Sequence, residues 1–250
     1  MWRGVVWLLE SGSTCDEWLE AKPVSHSITK QEEIAENMRR RYNRELYGAG
    51  EKPKKVFTSV SGGGSIDLRQ YPVTQKSIES VPLVKPASMT DEQAARLQDA
   101  HKALLEMVKD KPVGTEAFAV YTPDMTRLIK SGVGEDGAQE VRIPSVKEPH
   151  VILHNHPDGM TFSSSDIEGL VLSHPSGRVL SAVGNDGTVY LLERGEEFDA
   201  AGFIRGFVSV DLNNARMYDN PQEYAKAMRS FLEGAEKYGF AYYEGKPRVF

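Results

Sequence analysis

The sequence has very little cysteine: of its 250 residues, Cys15 alone carries a thiol. A single thiol excludes an intramolecular disulfide and every zinc site that is built from several thiolates. Any metal bound by this chain must therefore be held by histidine and carboxylate side chains. The same scarcity fits a reducing compartment, and we expect a cytoplasmic protein.

The sequence also lacks long apolar runs and a surplus of positive charge. No stretch approaches the roughly eighteen apolar residues that a membrane-spanning helix needs, and the apolar start at residues 1–9 is interrupted by Arg3. We therefore expect no membrane span and no signal peptide. Lys and Arg number 30 against 36 Asp and Glu, a formal charge of −6, so the chain lacks the basic surplus that non-specific nucleic-acid binding uses.

Residues 1–88 form an N-terminal region to which the sequence assigns no role. Glycine, serine and proline are dense there, as at residues 61–65, and this density predicts irregular structure. One helix is predicted over residues 30–47, where apolar side chains recur every four positions. It carries a basic cluster of a kind that is usually a solvated face and only sometimes binds phosphate. The cluster consists of Arg39, Arg40, Arg41 and Arg44.

Residues 89–193 have the pattern of an α/β domain. Thr90, followed three positions later by Gln93, is a capping-box pattern that opens a predicted helix ending before Pro112. A hairpin is predicted around the Gly-Asn-Asp-Gly turn at residues 184–187. Strands are predicted at residues 117–121, 127–130, 139–143, 151–153, 178–183 and 188–193. A helical C-terminal extension is predicted at residues 194–250, with helices at 198–208 and 221–238.

The residues that carry chemistry are His154, His156 and Asp166. Residues i and i+2 of a strand point to the same side, so a strand that ends here delivers both imidazoles to one point. Asp166 lies ten positions after His156, in the first turn of a predicted helix that Ser163 caps and that runs to about residue 173. Two imidazoles and one carboxylate leave a tetrahedral Zn²⁺ with a fourth position open for water, as in catalytic sites.

The other histidines lack such neighbours. His101 is expected to be a packing or surface residue of a helix, and His26, His150 and His174 are expected to lie in loops. Asn155, between the two predicted ligands, should face the opposite side of the strand and form structural hydrogen bonds.

The segment that begins at His154 resembles the signature of JAMM (JAB/MPN+) metalloproteases, in the form found in RadC-like proteins and in prokaryotic and phage JAB domains. It reads His-Asn-His-Pro and is followed by Ser163 and Asp166, and the family places a glutamate on an earlier strand. The matching acid in this chain is Glu116. The resemblance covers about residues 90–193 and implies a JAB/MPN-like, cytidine-deaminase-like sheet that is flanked by helices.

The resemblance also implies roles for two residues outside the ligand set. Glu116 would accept a proton from the activated water and return it to the leaving amine. Ser163 would donate a hydrogen bond to the tetrahedral oxyanion, although a plain helix cap explains this serine equally well. Family members usually have seven residues between the second histidine and the serine, whereas six lie between His156 and Ser163. Ser164 would restore seven, but only Ser163 keeps the Ser-x-x-Asp spacing, and we favour it.

These observations predict a zinc-dependent metallopeptidase or isopeptidase that acts on a protein or peptide substrate, ubiquitin-like proteins included. One alternative is a phage or mobile-element structural protein that carries a JAB-like domain. Another is a RadC-like DNA-associated factor that uses the arginine cluster, which the overall acidity disfavours. A zinc deaminase is poorly supported, because its Pro-Cys-x-x-Cys motif needs two cysteines.

Overall fold

A computed structural model describes residues 70–138, 140–213 and 221–247 of the chain. In this part the chain forms one open, mixed six-stranded sheet with helices packed on it. The strands are β1 Ala117–Tyr121, β2 Leu128–Val133, β3 His150–His156, β4 Gly177–Gly184, β5 Val189–Arg194 and β6 Phe240–Gly245. Their order across the sheet is β2-β1-β3-β4-β5-β6.

The helices precede, connect and follow these strands. They are α1 Gln75–Ser80, α2 Asp91–Val108, α3 Ser164–Glu168, α4 Ala200–Asn213 and α5 Pro221–Glu233. A π-helical turn, Gly169–Ser173, continues α3, and a 3₁₀ turn, Ala235–Tyr238, follows α5. Among the described residues, no helix combines the length and the apolar character that crossing a membrane requires.

Strand β3 lies inside the sheet and pairs differently with its two neighbours. It is antiparallel to β1, with Phe118 opposite His154, and parallel to β4, with His156 opposite Gly184. All seven residues of β3 are buried. Parallel strands need a crossover connection, and α3 with its π-helical turn provides the one between β3 and β4. The end of β3 is therefore followed closely by the beginning of a helix.

The two faces of the sheet support two separate apolar cores. Successive side chains of a strand point to opposite faces, so Ile152 packs in one core while Val151 and Leu153 pack in the other. The first core takes in side chains of α3, α4 and α5, and the second takes in side chains of α1 and α2. His154 and His156 continue the alternation of Ile152, so they lie on the face that α3 covers.

The structure confirms several of the predicted elements. The capping box of Thr90 and Gln93 opens α2, and β4 and β5 form the predicted antiparallel hairpin. The strand predicted over residues 139–143 is wrong for residues 140–143, which form no strand. The apolar alternation there has another cause, since Val141 and Ile143 pack beside Phe118 without joining the sheet.

The C-terminal part differs from the helical extension that the sequence predicts. Helices α4 and α5 are present, but β6 then pairs with β5 as the sixth strand of the sheet. Gly239, with a φ of 81°, ends the 3₁₀ turn and allows the chain to reverse into β6. The fold is therefore an α/β sheet that includes residues from beyond the predicted core.

The domain limits at residues 88 and 193 stay predictions. Side chains on both sides of these limits share the cores of the sheet: Ile78 packs in the same core as Leu97, and Phe240 packs in the same core as Leu192. The helix predicted over residues 30–47 lies outside the described residues.

Candidate metal centre

At the C-terminal end of β3, the side chains of His154 and His156 point to the same side of the sheet. Their side chains are almost completely buried, with relative exposures of 2% and 7%. Their Nε2 atoms lie 2.7 Å apart. The alternation of a strand thus brings the two imidazoles together as the sequence predicts.

Asp166 joins the two histidines from the first turn of α3. One carboxylate oxygen, Oδ1, lies 3.0 Å from Nε2 of His154, and the other, Oδ2, lies 3.2 Å from Nε2 of His156. The carboxylate therefore spans the histidine pair. The helix starts here because Ser163 and Asp166 form a capping box, in which each side chain receives a hydrogen bond from the backbone N–H of the other residue.

The three side chains form a group that can hold a metal ion. Their donor atoms all lie within 4.8 Å of one another, and within the described part of the chain no other group of three such residues meets this criterion. Ligand atoms about 2.0–2.2 Å from a tetrahedral Zn²⁺ are separated from each other by about 3.3 Å. The two Nε2 atoms, 2.7 Å apart, need to separate by about 0.6 Å to accommodate the ion, and each of them already lies within 3.2 Å of one Asp166 oxygen.

Hydrogen bonds beyond the three ligands fix the orientation of two of them. Nδ1 of His156 lies 2.7 Å from the carbonyl oxygen of Met160, so Nδ1 carries a proton and Nε2 is the ring nitrogen that faces the ligand group. Both the backbone N–H and the hydroxyl of Ser163 donate to Oδ2 of Asp166, each at 2.7 Å. Nδ1 of His154 is buried and has no hydrogen-bond partner among the described residues. Such supporting bonds orient metal ligands and tune their basicity.

The charges in the group match a cation site. Burial would raise the pKa of Asp166, but the imidazoles of His154 and His156 hold it well below its usual value. Burial would lower the pKa of His156, but the carboxylates of Asp166, Glu116 and Asp158 together outweigh burial and raise that pKa to about 10. An anionic carboxylate therefore faces the two imidazoles, and carboxylate and imidazole are donors that Zn²⁺ favours.

Glu116 lies directly before β1, opposite the end of β3. Phe118 pairs with His154 in the antiparallel register, so two residues back along β1 corresponds to two residues forward along β3. The regular pairing ends at Phe118, and Glu116, two residues earlier, lies close enough to His156 for the charges of the two side chains to interact. The structure thus brings the acid singled out from the sequence to the strand end that carries the histidines.

The carboxyl group of Glu116 interacts with the charges of the candidate metal centre. The pKa of Glu116 is raised to about 8, because burial and the carboxylates of Asp166 and Asp158 raise it more than His156 lowers it. A divalent cation held by the three ligands would act in the opposite direction and lower this pKa. The protonation of Glu116 is therefore coupled to the occupancy of the site.

Ser163 is observed as the cap of α3. Its hydroxyl donates to Asp166 and accepts from the Asp166 backbone N–H at 3.3 Å. The role of Ser163 as an oxyanion donor stays a prediction, as does the choice between Ser163 and Ser164.

One of the other histidines differs from its predicted environment. His150 is the first residue of β3, so the prediction that it lies in a loop is wrong. His174 does lie in the irregular segment before β4, and both side chains are buried, with His150 Nε2 lying 3.2 Å from His174 Nδ1. His101 is confirmed as a packing residue of α2 and lies 2.5 Å from the Ser181 hydroxyl. His26 and the arginine cluster lie outside the described residues.

Sequence reasoning missed the groups that support the site from a distance along the chain. The Met160 carbonyl has no signal, because any residue supplies a carbonyl. Asn185, whose backbone N–H donates to the His156 carbonyl oxygen at 2.9 Å, lies 29 positions later and could be found only from the fold. Comparisons with protein-family models, with curated proteins and with solved structures found no match to this chain.

Proposed function

We propose that this chain is a metal-dependent hydrolase of the JAMM type, with a JAB/MPN-like fold, that cleaves an amide bond with water. His154, His156 and Asp166 would hold the metal, and Zn²⁺ is the ion that two imidazoles and one carboxylate suit well. The observation that supports the proposal most strongly is the buried group of these three donors, with the Glu116 carboxyl close enough for the charges of His156 and Asp166 to act on it.

The donor set supports catalysis rather than structure. Structural zinc sites are usually closed by four protein ligands, whereas three protein ligands leave one position for water. A Zn²⁺ ion bound there would lower the pKa of a coordinated water towards neutrality and polarise a substrate carbonyl.

Glu116 supplies the proton transfer that amide hydrolysis needs. In the absence of a cation its pKa of about 8 would leave the carboxyl group largely protonated at neutral pH. Because a bound cation lowers this pKa, the loaded site would hold Glu116 as a carboxylate that accepts a proton. The same carboxyl group would return the proton to the leaving amine nitrogen, so the water adds across the amide bond and an acid and an amine are released.

The substrate class follows from the reaction. A peptide or isopeptide bond within a protein or peptide is the amide that we propose, and ubiquitin-like proteins are included among the candidates. Ser163 would assist as a donor to the tetrahedral oxyanion only if its hydroxyl turned away from Asp166, to which it donates in this structure.

The experiment combines metal analysis with hydrolysis of a peptide library by the purified full chain. Glu116→Gln should retain one zinc per chain and lose hydrolysis, whereas His154→Ala and Asp166→Ala should lose zinc. Glu106→Gln is the matched control, because Glu106 is exposed and acidic, lies on α2 and is outside the ligand set. A wild-type chain that binds zinc but cleaves no peptide would contradict the proposal and favour the structural-protein alternative. Unchanged zinc content in both ligand variants would reject the site itself.

A further inference from the structure

One carboxamide, that of Asn155, holds the backbone on both sides of Glu116. Asn155 is fully buried, and its Oδ1 accepts a hydrogen bond from the Ala117 N–H at 2.6 Å. Its Nδ2 donates to the carbonyl oxygen of Thr115 at 3.2 Å. The Thr115 carbonyl belongs to the peptide group before Glu116, and the Ala117 N–H belongs to the peptide group after it. Both peptide groups of Glu116 are thus held by one side chain.

The hydrogen bonds between Asn155 and the backbone of Thr115 and Ala117 form a clamp around Glu116. This clamp lies where the regular pairing of β1 with β3 ends. The β1–β3 register runs from Phe118 opposite His154 to Tyr121 opposite Val151, so Glu116 precedes its first pair. From the other side, the Gly134 N–H donates to the Glu116 carbonyl oxygen at 2.7 Å. The backbone of Glu116 therefore has its position set by Gly134, directly after β2, and by the Asn155 side chain.

A second buried amide keeps the Asn155 carboxamide in place. Nδ2 of Asn155 also donates to Oδ1 of Asn185 at 2.9 Å, and Asn185 Nδ2 donates to the Tyr71 carbonyl oxygen at 2.8 Å. The backbone N–H of Asn185 donates to the carbonyl oxygen of His156 at 2.9 Å. The hydrogen-bond network thus connects the strand start that bears Glu116 with the backbone of a metal ligand.

We propose that Asn155 is a positioning residue that sets the distance between the Glu116 carboxylate and the metal. His154 and His156, which would hold this metal, are the residues on either side of Asn155. This inference rests on the proposed function. A carboxamide offers an acceptor and a donor together, which the two peptide groups around Glu116 require. Aspartate keeps only the acceptors, and leucine keeps neither. A displacement of about 1 Å in a catalytic group can cost about 100-fold in rate, so a modest loosening of this clamp has a large effect.

The test uses the zinc-loaded full chain with Asn155→Leu, Asn155→Asp and Glu116→Gln. The first readout is zinc per chain, and the second is hydrogen exchange of the Ala117 amide. The third is the affinity for acetohydroxamate, a probe that chelates zinc and gives a proton to a nearby carboxylate. Gln98→Leu is the matched control, because the Gln98 side-chain amide also donates to a main-chain carbonyl, that of Val81 at 2.8 Å, away from Glu116.

We expect both Asn155 variants to keep one zinc and to exchange the Ala117 amide faster than the wild type. Asn155→Leu should weaken acetohydroxamate binding at least about 10-fold, as Glu116→Gln does, and Asn155→Asp should weaken it less. On the library peptides, the expected signature is a lower kcat with an unchanged KM. Gln98→Leu should match the wild type in all of these readouts.

Two results would overturn the inference alone. One is wild-type acetohydroxamate affinity in the Asn155 variants together with fast exchange at Ala117, while Glu116→Gln binds weakly. The other is loss of zinc from both Asn155 variants, which would show that Asn155 maintains the ligands rather than the position of Glu116. Wild-type acetohydroxamate affinity in Glu116→Gln would instead reject the role proposed for Glu116, and the inference with it.

Discussion

A buried pair of histidines lies at each end of strand β3. At its C-terminal end, Nε2 of His154 and Nε2 of His156 lie 2.7 Å apart. At its N-terminal end, Nε2 of His150 lies 3.2 Å from Nδ1 of His174. Both pairs are buried and both place ring nitrogens within hydrogen-bond distance, so neither the residue type nor the depth distinguishes them.

The third partner distinguishes the two ends. Asp166 places a carboxylate oxygen within 3.2 Å of each histidine of the C-terminal pair. The N-terminal pair has the guanidinium of Arg194 nearby. Burial lowers the pKa of His150, and burial, the neighbouring imidazole and Arg194 lower that of His174 to about 4. A carboxylate favours a cation between two imidazoles and an arginine opposes one, so only the C-terminal pair is a candidate metal centre.

The largest effect is expected from removing the Asp166 carboxylate. Without it, neither histidine pair would have a carboxylate partner. Asp166→Asn should weaken zinc binding at least about 100-fold, because it removes a ligand and the charge that attracts the ion. Zinc titration with a competing chelator measures the change. Asp158→Asn, which removes a nearby acid outside the ligand group, should weaken zinc binding far less than Asp166→Asn does.

We expect the His150–His174 pair to be neutral in the folded chain, and the free energy of unfolding should therefore depend on pH. The pKa of His174 is about 4 in the folded chain and near 6.5 as its ordinary value, so its contribution is complete above pH 6.5 and is lost as the pH falls towards 4. In this pH range, His174→Gln should reduce the slope of the free energy of unfolding against pH by up to about 1.4 kcal/mol per pH unit.

Urea unfolding at several pH values, on metal-free protein, measures this slope. Lys130→Gln, a change at an exposed residue, should keep the wild-type slope. An unchanged slope in His174→Gln would show that His174 does not titrate in the folded state as this account requires.

Arg194 should stabilise the N-terminal end of β3 through its hydrogen bonds. Its guanidinium donates to the carbonyl oxygens of Pro175 at 2.6 Å and Leu170 at 2.7 Å, and lies 4.7 Å from the centre of the Phe198 ring. Arg194→Met would leave two carbonyls without donors and should lower the free energy of unfolding by about 2 kcal/mol. Arg178→Met, at an exposed arginine, should change it by less than about 0.5 kcal/mol.

The smallest expected effect distinguishes the helix cap at the metal centre, Ser163, from the helix cap of α2, Thr90. Ser163→Ala and Thr90→Ala each remove the side chain of a capping box and should each cost about 1 kcal/mol of stability. Only Ser163 also donates to Asp166, so only Ser163→Ala should weaken zinc binding, by about 10-fold. Equal zinc affinity in the two variants would show that the Ser163 hydroxyl has no influence on the ligand.

Local patterns made the C-terminal end of β3 predictable from the sequence. The spacing of His154 and His156 has a fixed meaning in a strand, and the Ser163–Asp166 pair has a fixed meaning at the start of a helix. Each of these relations spans four residues or fewer. Together, these local relations indicate the ligand group without any information on long-range contacts.

Long-range contacts decide the features that the sequence did not predict. His150 and His174 are buried only because the crossover between β3 and β4 returns to the same strand end. Strand β6 joins the sheet through pairing with β5, after two intervening helices. The hydrogen bond from the Ala117 N–H to Asn155 joins residues that lie 38 positions apart. None of these relations has a period or a spacing that a single sequence can show.

X-ray absorption at the zinc edge of the zinc-loaded chain tests the central claim most directly. The account predicts one zinc per chain with two imidazole nitrogens and one carboxylate oxygen from the protein at about 2.0–2.2 Å, and a further light ligand. The imidazole signature should be lost in His154→Ala. A zinc shell without imidazole scattering, or a spectrum that His154→Ala leaves unchanged, would contradict the account.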